Sequence, residues 1–443
     1  MNFKLWINFF VLSTQLIWAQ DGFHFENNKN KISFPFQFIN NLILIPIDVN
    51  GIKLNFLLDT GVEDSILFSV DDSEGISFSN VEKIKIRGFG SKDSFDAYKS
   101  TKNTLSINHY TDLNHIIYLV LDQNINISSK VGIPVNGIIG YQFFKNNLVK
   151  INYDSKRITI YKDRKKPLKK IEKSYCKIPL ELISNKPYLT LKSFFENHTQ
   201  SIETKLLLDT GNYDAIWFFK QKNEAIKIPK VNLEDFLGRG FSGDVFGKRG
   251  KITALQIGDF SIQKPLAAFP DTTATLGIDE IENRLGSVGS DIIKRFTTIY
   301  DYQSNAIYIK KNNLFTEPFN FNMSGLEIEH QGLQWIKQDY ENNPAISNNL
   351  YDSGGNKIAN NLQYRFELKP IYVIDNIRKD SPADLAGFQK EDILVKIDTK
   401  NAYNFTLQQI NDLLKSEEGK KIEFEIDRKG KILKFKIELK DIF

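Results

Sequence analysis

The sequence predicts a mainly β protein built from two similar halves and followed by a separate α+β module. Three observations lead there: a five-residue string that occurs twice, alternating apolar residues before each copy, and a C-terminal stretch where helix signals return. The chain has 443 residues, room for about three folded units at roughly 150 residues each. Its composition is 41% hydrophobic, 12% aromatic and 25% charged, a globular mixture that excludes collagen-like, coiled-coil and wholly disordered chains. With 58 Lys and Arg against 54 Asp and Glu, the net charge of +4 lacks the basic excess of a nucleic-acid binder. Cys176 is the one cysteine, so the chain can form neither an internal disulfide nor a Cys-based zinc site.

Residues 1–20 combine Lys4, an apolar centre and a closing Ala19-Gln20, the pattern of a secretory signal peptide. An exported protein is expected, resident in a periplasm or cell envelope or secreted. No later stretch approaches the roughly 20 apolar residues of a spanning helix, so no transmembrane span is expected.

The two halves are expected over 35–161 and 178–311. Leu57-Leu58-Asp59-Thr60-Gly61 recurs as Leu207-Leu208-Asp209-Thr210-Gly211, 150 residues on. Strand-like runs over 42–58 and 178–208 lead into the copies. Downstream lie Gly137-Ile138-Ile139-Gly140 and Gly286-Ser287-Val288-Gly289, whose last glycines follow their aspartates by 81 and 80 residues. Between these landmarks, Gly88-Phe89-Gly90 and Gly238-Arg239-Gly240-Phe241-Ser242-Gly243 each begin 29 residues after the aspartate and suit hairpin tips. The Lys-rich stretch 162–177, with Pro167, is expected to be a solvated linker between the halves.

Amide hydrolysis by water needs one group to take a proton from water and another to give one to the carbonyl oxygen or leaving nitrogen. Two carboxylates held together do both, because like charges at that separation cannot both ionise, and the two share one proton. The paired strings accordingly resemble those of the pepsin-like and retroviral-like aspartic proteases over roughly residues 35–311. That resemblance implies a two-lobed β-barrel fold, Asp59 and Asp209 as the catalytic pair, and Thr60 and Thr210 interlocking the two loops beside Gly61 and Gly211. It implies that Ile138-Ile139-Gly140 and Ser287-Val288-Gly289 support the loops from behind. Gly88, Phe89 and Gly90, with Gly240 and Phe241, would be flap tips closing on an extended polypeptide substrate. Because one chain carries both halves, no oligomer is required, and the chemistry implied uses neither metal nor cofactor. The residues after Asp-Thr-Gly are Val62 and Asn212, where the family has Ser, Thr or Ala; Val62 cannot donate a hydrogen bond to the carboxylate and Asn212 can, so an asymmetric pair is expected. The alternative reading is a catalytically silent scaffold of the cell envelope that grips peptides.

The last module is expected over 321–443. Ser381 is a helix cap followed by Pro382 and a stop at Gly387, and Thr406 with Gln409 forms a capping box before Leu407, Ile410, Leu413 and Leu414. Alternating strands follow at Ile422, Phe424 and Ile426, then Leu433, Phe435, Ile437 and Leu439. This order resembles a PDZ domain, which implies a carboxylate-binding loop at Ser324-Gly325 and a peptide C-terminus held between Leu326, Ile328 and the helix from Leu407. An Asn-rich insertion over 339–362 is expected to be a surface loop. Within it, Asp352-Ser353-Gly354-Gly355 lacks the preceding glycine and the histidine context of a serine protease, and the five histidines show no metal-ligand spacing.

Overall fold

The computed structural model describes residues 22–69, 75–87, 94–120, 126–196, 200–240, 243–272, 283–339 and 364–443. The expected signal peptide, the first flap tip Gly88-Phe89-Gly90, Phe241 of the second and the Asn-rich insertion from 340 lie outside the described residues.

The protein is mainly β. Each half repeats one pairing pattern around its aspartate. In the first, strand Ile52–Leu58 enters the Asp59 loop and strand Ser65–Leu67 leaves it. Strand Gly137–Ile139 is inserted between them, parallel to the first and antiparallel to the second. In the second half, Ile202–Leu208 and Ile216–Phe218 flank Arg284–Val288 with the same two directions. The equal spacing of the motifs thus reflects equal topology. The wider sheets differ: pairings in the first return on themselves through Ser94–Ile107 and Tyr110–Leu119, whereas those of the second run in an open order.

Two-residue turns set the register of the hairpins that precede the loops. Asn40-Asn41 and Ser184-Asn185 all take positive φ, the geometry of a tight hairpin turn, and join Gln37–Ile39 to Leu42–Val49 and Glu181–Ile183 to Lys186–Phe194.

A six-stranded sheet is shared between the halves. Leu148–Asn152 from the first half pairs antiparallel with Phe296–Asp301 from the second, Val149 opposite Tyr300 and Ile151 opposite Thr298. Phe296–Asp301 is buried along its whole length, and Val149, Ile151, Ile299 and Tyr300 carry the apolar contact. Part of the expected linker is structured: Lys165–Ile171 is a short helix that buries Ile171, and Cys176 opens strand Cys176–Pro179.

The C-terminal module is a separate sheet ordered Leu326–Asp339, Tyr364–Ile377, Ile393–Ile397, Lys421–Arg428, Lys431–Glu438. The two expected helices are Pro382–Ala386, with Ser381 as cap and Gly387 left-handed, and Leu407–Leu414, with a complete Thr406–Gln409 capping box. No helix among the described residues is long and apolar enough to cross a membrane.

The shared sheet makes each half dependent on the other for an edge partner. Expressed alone, residues 22–161 should aggregate or remain unfolded, and co-expression with 162–443 should restore a soluble complex, as read by size-exclusion chromatography and far-UV circular dichroism.

Candidate active site

Asp59 and Asp209 stand at the ends of their entry strands, and each main-chain N–H is held by the inserted strand: Asp59 by the Ile139 carbonyl (2.9 Å) and Asp209 by the Val288 carbonyl (3.0 Å). Gly140 and Gly289 lie directly behind. A Cβ on either would fall 2.2 Å from the Val62 carbonyl oxygen or 2.3 Å from that of Asp214, so only glycine permits this approach.

The threonines join the loops reciprocally. The Thr60 N–H donates to Thr210 Oγ1 (3.0 Å) while Thr60 Oγ1 donates to the Leu208 carbonyl (2.6 Å). Thr210 mirrors both bonds, its N–H to Thr60 Oγ1 (3.1 Å) and its hydroxyl to the Leu58 carbonyl (2.8 Å). Both threonines are fully buried. The hairpin turns add matched bridges to positions four residues after each aspartate. Asn41 Nδ2 donates to the Tyr213 carbonyl (3.0 Å) and Asn185 Nδ2 to Glu63 Oε1 (2.7 Å).

The carboxyls of Asp59 and Asp209 face each other across the two loops, close enough to interact directly. Gly61 and Gly211 leave the space for this: a Cβ on Gly211 would come within 2.2 Å of Asp59 Oδ2, and one on Gly61 within 3.0 Å of the Asp209 carboxyl. Burial raises Asp59 well above the ordinary carboxyl value of 3.8, and the Asp209 charge raises it further. Asp209 is also raised by burial but is opposed by the nearby Arg284 cation and by the N–H groups of Gly211 and Asn212, each 3.0 Å from Oδ1. The surroundings of the pair are therefore asymmetric, with Arg284 and these N–H groups favouring negative charge on Asp209.

The source of the asymmetry differs from the one the sequence suggests. Asn212 reaches Asp209 through its main chain, and its side-chain Nδ2 instead donates to Ser287 Oγ (3.2 Å). Arg284 carries no motif. It is buried on the inserted strand, its Nε donating to the Gly286 carbonyl (3.2 Å) and its guanidinium 5.4 Å from the Phe219 ring centroid. Its sequence signal is a lone charge in a short, otherwise uncharged strand.

Strand Leu233–Gly240, which leads to the expected second hairpin tip, is pinned to the Asp209 loop by Tyr213, whose hydroxyl donates to the Leu237 carbonyl (2.9 Å). Gly240 ends that strand opposite Gly243. In the C-terminal module, Ser324, Gly325, Leu326, Ile328 and Leu407 are brought together and buried.

A second constellation has no sequence signature. Ser65 Oγ lies 2.7 Å from His115 Nε2, and His115 Nδ1 lies 2.7 Å from Asp112 Oδ2. The order is that of a serine nucleophile with its base, but the three residues are 1%, 1% and 3% exposed, with the Phe23 ring edge-on at 5.6 Å. No substrate reaches them. The arrangement fastens the strand leaving the Asp59 loop to Tyr110–Leu119.

Residues 373–428 match the PDZ domain family. No curated protein matches the chain in sequence. Among solved structures, the chain is similar to the aspartic proteinase from Irpex lacteus, at 14% identity and a TM-score of 0.41, over 66% of this chain and 100% of that one.

The raised Asp59 has a consequence for stability. A carboxyl whose folded value exceeds the unfolded one opposes folding once pH rises above the ordinary value of 3.8, and does so increasingly up to the folded value. Asp59→Asn should therefore raise the melting temperature at neutral pH, with the gain shrinking to nothing as pH falls below that range. Differential scanning calorimetry across pH checks this.

Proposed function

We propose that the chain is an exported aspartic endopeptidase that hydrolyses peptide bonds with a water activated by Asp59 and Asp209. The observation that carries this reading is the pair of carboxyls brought face to face across two loops locked by reciprocal threonine bonds. Such a pair has few structural uses, since it costs stability to bury, and it suits chemistry that needs an acid and a base side by side.

In this reading Asp209, favoured in its ionised form by Arg284, takes a proton from the attacking water. Asp59 gives its proton to the carbonyl oxygen. The tetrahedral intermediate then collapses: Asp209 gives its proton to the leaving nitrogen as the C–N bond breaks, and a hydroxyl of the intermediate returns its proton to Asp59, so the pair again holds one proton. No covalent intermediate forms. The glycine-bearing strand Leu233–Gly240, held over the site by Tyr213, would pair with an extended polypeptide.

The test is cleavage of a peptide library by the mature protein from acidic to neutral pH, with and without pepstatin. Wild type should cleave, and Asp59→Asn and Asp209→Asn should each lose at least about 10³-fold in kcat/KM. Equal cleavage by the variants, or none by wild type at any pH, would leave the silent scaffold as the reading. Replacing Arg284 by Met removes the cation that favours ionised Asp209. The acid limb of the pH profile should then move to higher pH, because the base loses its charge sooner as pH falls.

A further inference from the structure

The C-terminal module presents a groove between strand Leu326–Asp339 and helix Leu407–Leu414, and the strand is the terminal one in its sheet among the described residues. A peptide C-terminus would need unengaged N–H groups at the loop before this strand. All three are already bonded within the loop. The N–H groups of Ser324 and Gly325 donate to Asn322 Oδ1 (3.1 and 3.2 Å), and that of Leu326 to Ser324 Oγ (3.0 Å).

The groove instead faces the first half. Helix Ile127–Val131 packs on strand Leu326–Asp339. Gly132 ends that helix with φ +83° and brings its backbone against Leu407, so close that a Cβ there would lie 2.7 Å from the Leu407 Cβ. Lys130 pairs with Glu329 (3.4 Å) and with Asp375, and Ser129 Oγ donates to Glu329 Oε2 (3.5 Å). The Lys130 carbonyl accepts from Asn40, whose own Oδ1 accepts from Asn411 on the groove helix (3.4 Å).

The second half meets the same hairpin. Arg239 of the flap strand approaches Asp375 (3.7 Å) and Arg378 approaches Asp235 (3.6 Å). Arg249 then ties Asp235 (2.8 Å) to Asp214 (2.7 Å), five residues after Asp209. Behind the docked helix, Val131 and Val135 cluster with Ile138 and Val62, the residue that follows the first Asp-Thr-Gly.

We propose that the groove is an internal docking site whose occupant is the 127–132 segment of the first half, and that this docking fastens the C-terminal module to both aspartate loops. Two features select this occupant over a free peptide end. The carboxylates of Glu329 and Asp375 call for a cation, which Lys130 supplies, and the loop donors are already engaged, leaving none for a terminal carboxylate.

The test is hydrogen–deuterium exchange on the full chain, a readout independent of peptide cleavage, so that this proposal and the peptidase reading fail separately. Lys130→Ala should raise amide exchange about tenfold in 127–132 and, together with it, in 324–330 across the interface. Leu407→Glu, placed on the other side, should produce the same paired effect, and Lys130→Ala decides if that variant fails to fold. A change confined to 127–132, with 324–330 as in wild type, would overturn the proposal. So would preferential binding of a free-carboxylate peptide library by the wild-type protein over the same library amidated.

Discussion

Two carboxyls of like charge are removed from water and pressed together, and the rest of the structure is arranged to tolerate that. The opposing force is both repulsion and lost hydration. Against it stand four buried hydrogen bonds from Thr60 and Thr210, each worth about 1 kcal/mol net but about 1–3 kcal/mol to break with a partner left buried. The glycines at 61, 140, 211 and 289 act in the same service. A Cβ at 61 or 211 would press on the opposite carboxyl, and one at 140 or 289 on the backbone of the aspartate loop in front of it.

Around that contact the halves are tied at increasing distance. Asn41 and Asn185 bridge the loops at equivalent positions, and the sheet formed by Leu148–Asn152 and Phe296–Asp301 joins the halves underneath. The duplication is close but imperfect. Arg284 on the second inserted strand has no counterpart at the equivalent place in the first, and this cation, with the N–H groups of Gly211 and Asn212, makes the surroundings of the two aspartates unequal. Symmetry brings the carboxyls together, and its breach favours negative charge on one side of the pair.

What was legible in the sequence was what has local form. The doubled Leu-Leu-Asp-Thr-Gly, the strands alternating with period two, Ser381-Pro382 and the Thr406–Gln409 box all act over a few residues, and each is found where the pattern places it. The threonine interlock was reachable because it follows from the motif and its repeat. Contacts between distant residues were not reachable. Ser65, His115 and Asp112 meet only because strands Ser65–Leu67 and Tyr110–Leu119 run side by side, and nothing near Ser65 announces His115. Asn212 misled by type: its amide suits a carboxylate, yet the backbone turn gives that role to its N–H and turns the side chain to Ser287. At the Ser324-Gly325 loop the contact was equally hidden, since Asn322 is an ordinary residue until its side-chain carbonyl accepts from the N–H groups of Ser324 and Gly325.

The central claim is that Asp59 and Asp209 share one proton. Carboxyl carbon-13 NMR of the aspartate-labelled protein, titrated from acidic to basic pH, tests it directly. The account predicts two linked steps reported by both carboxyls, one well above the ordinary value of 3.8, collapsing to a single step when either residue is replaced by asparagine. Two independent titrations near 3.8, unaltered at one aspartate by replacing the other, would contradict it.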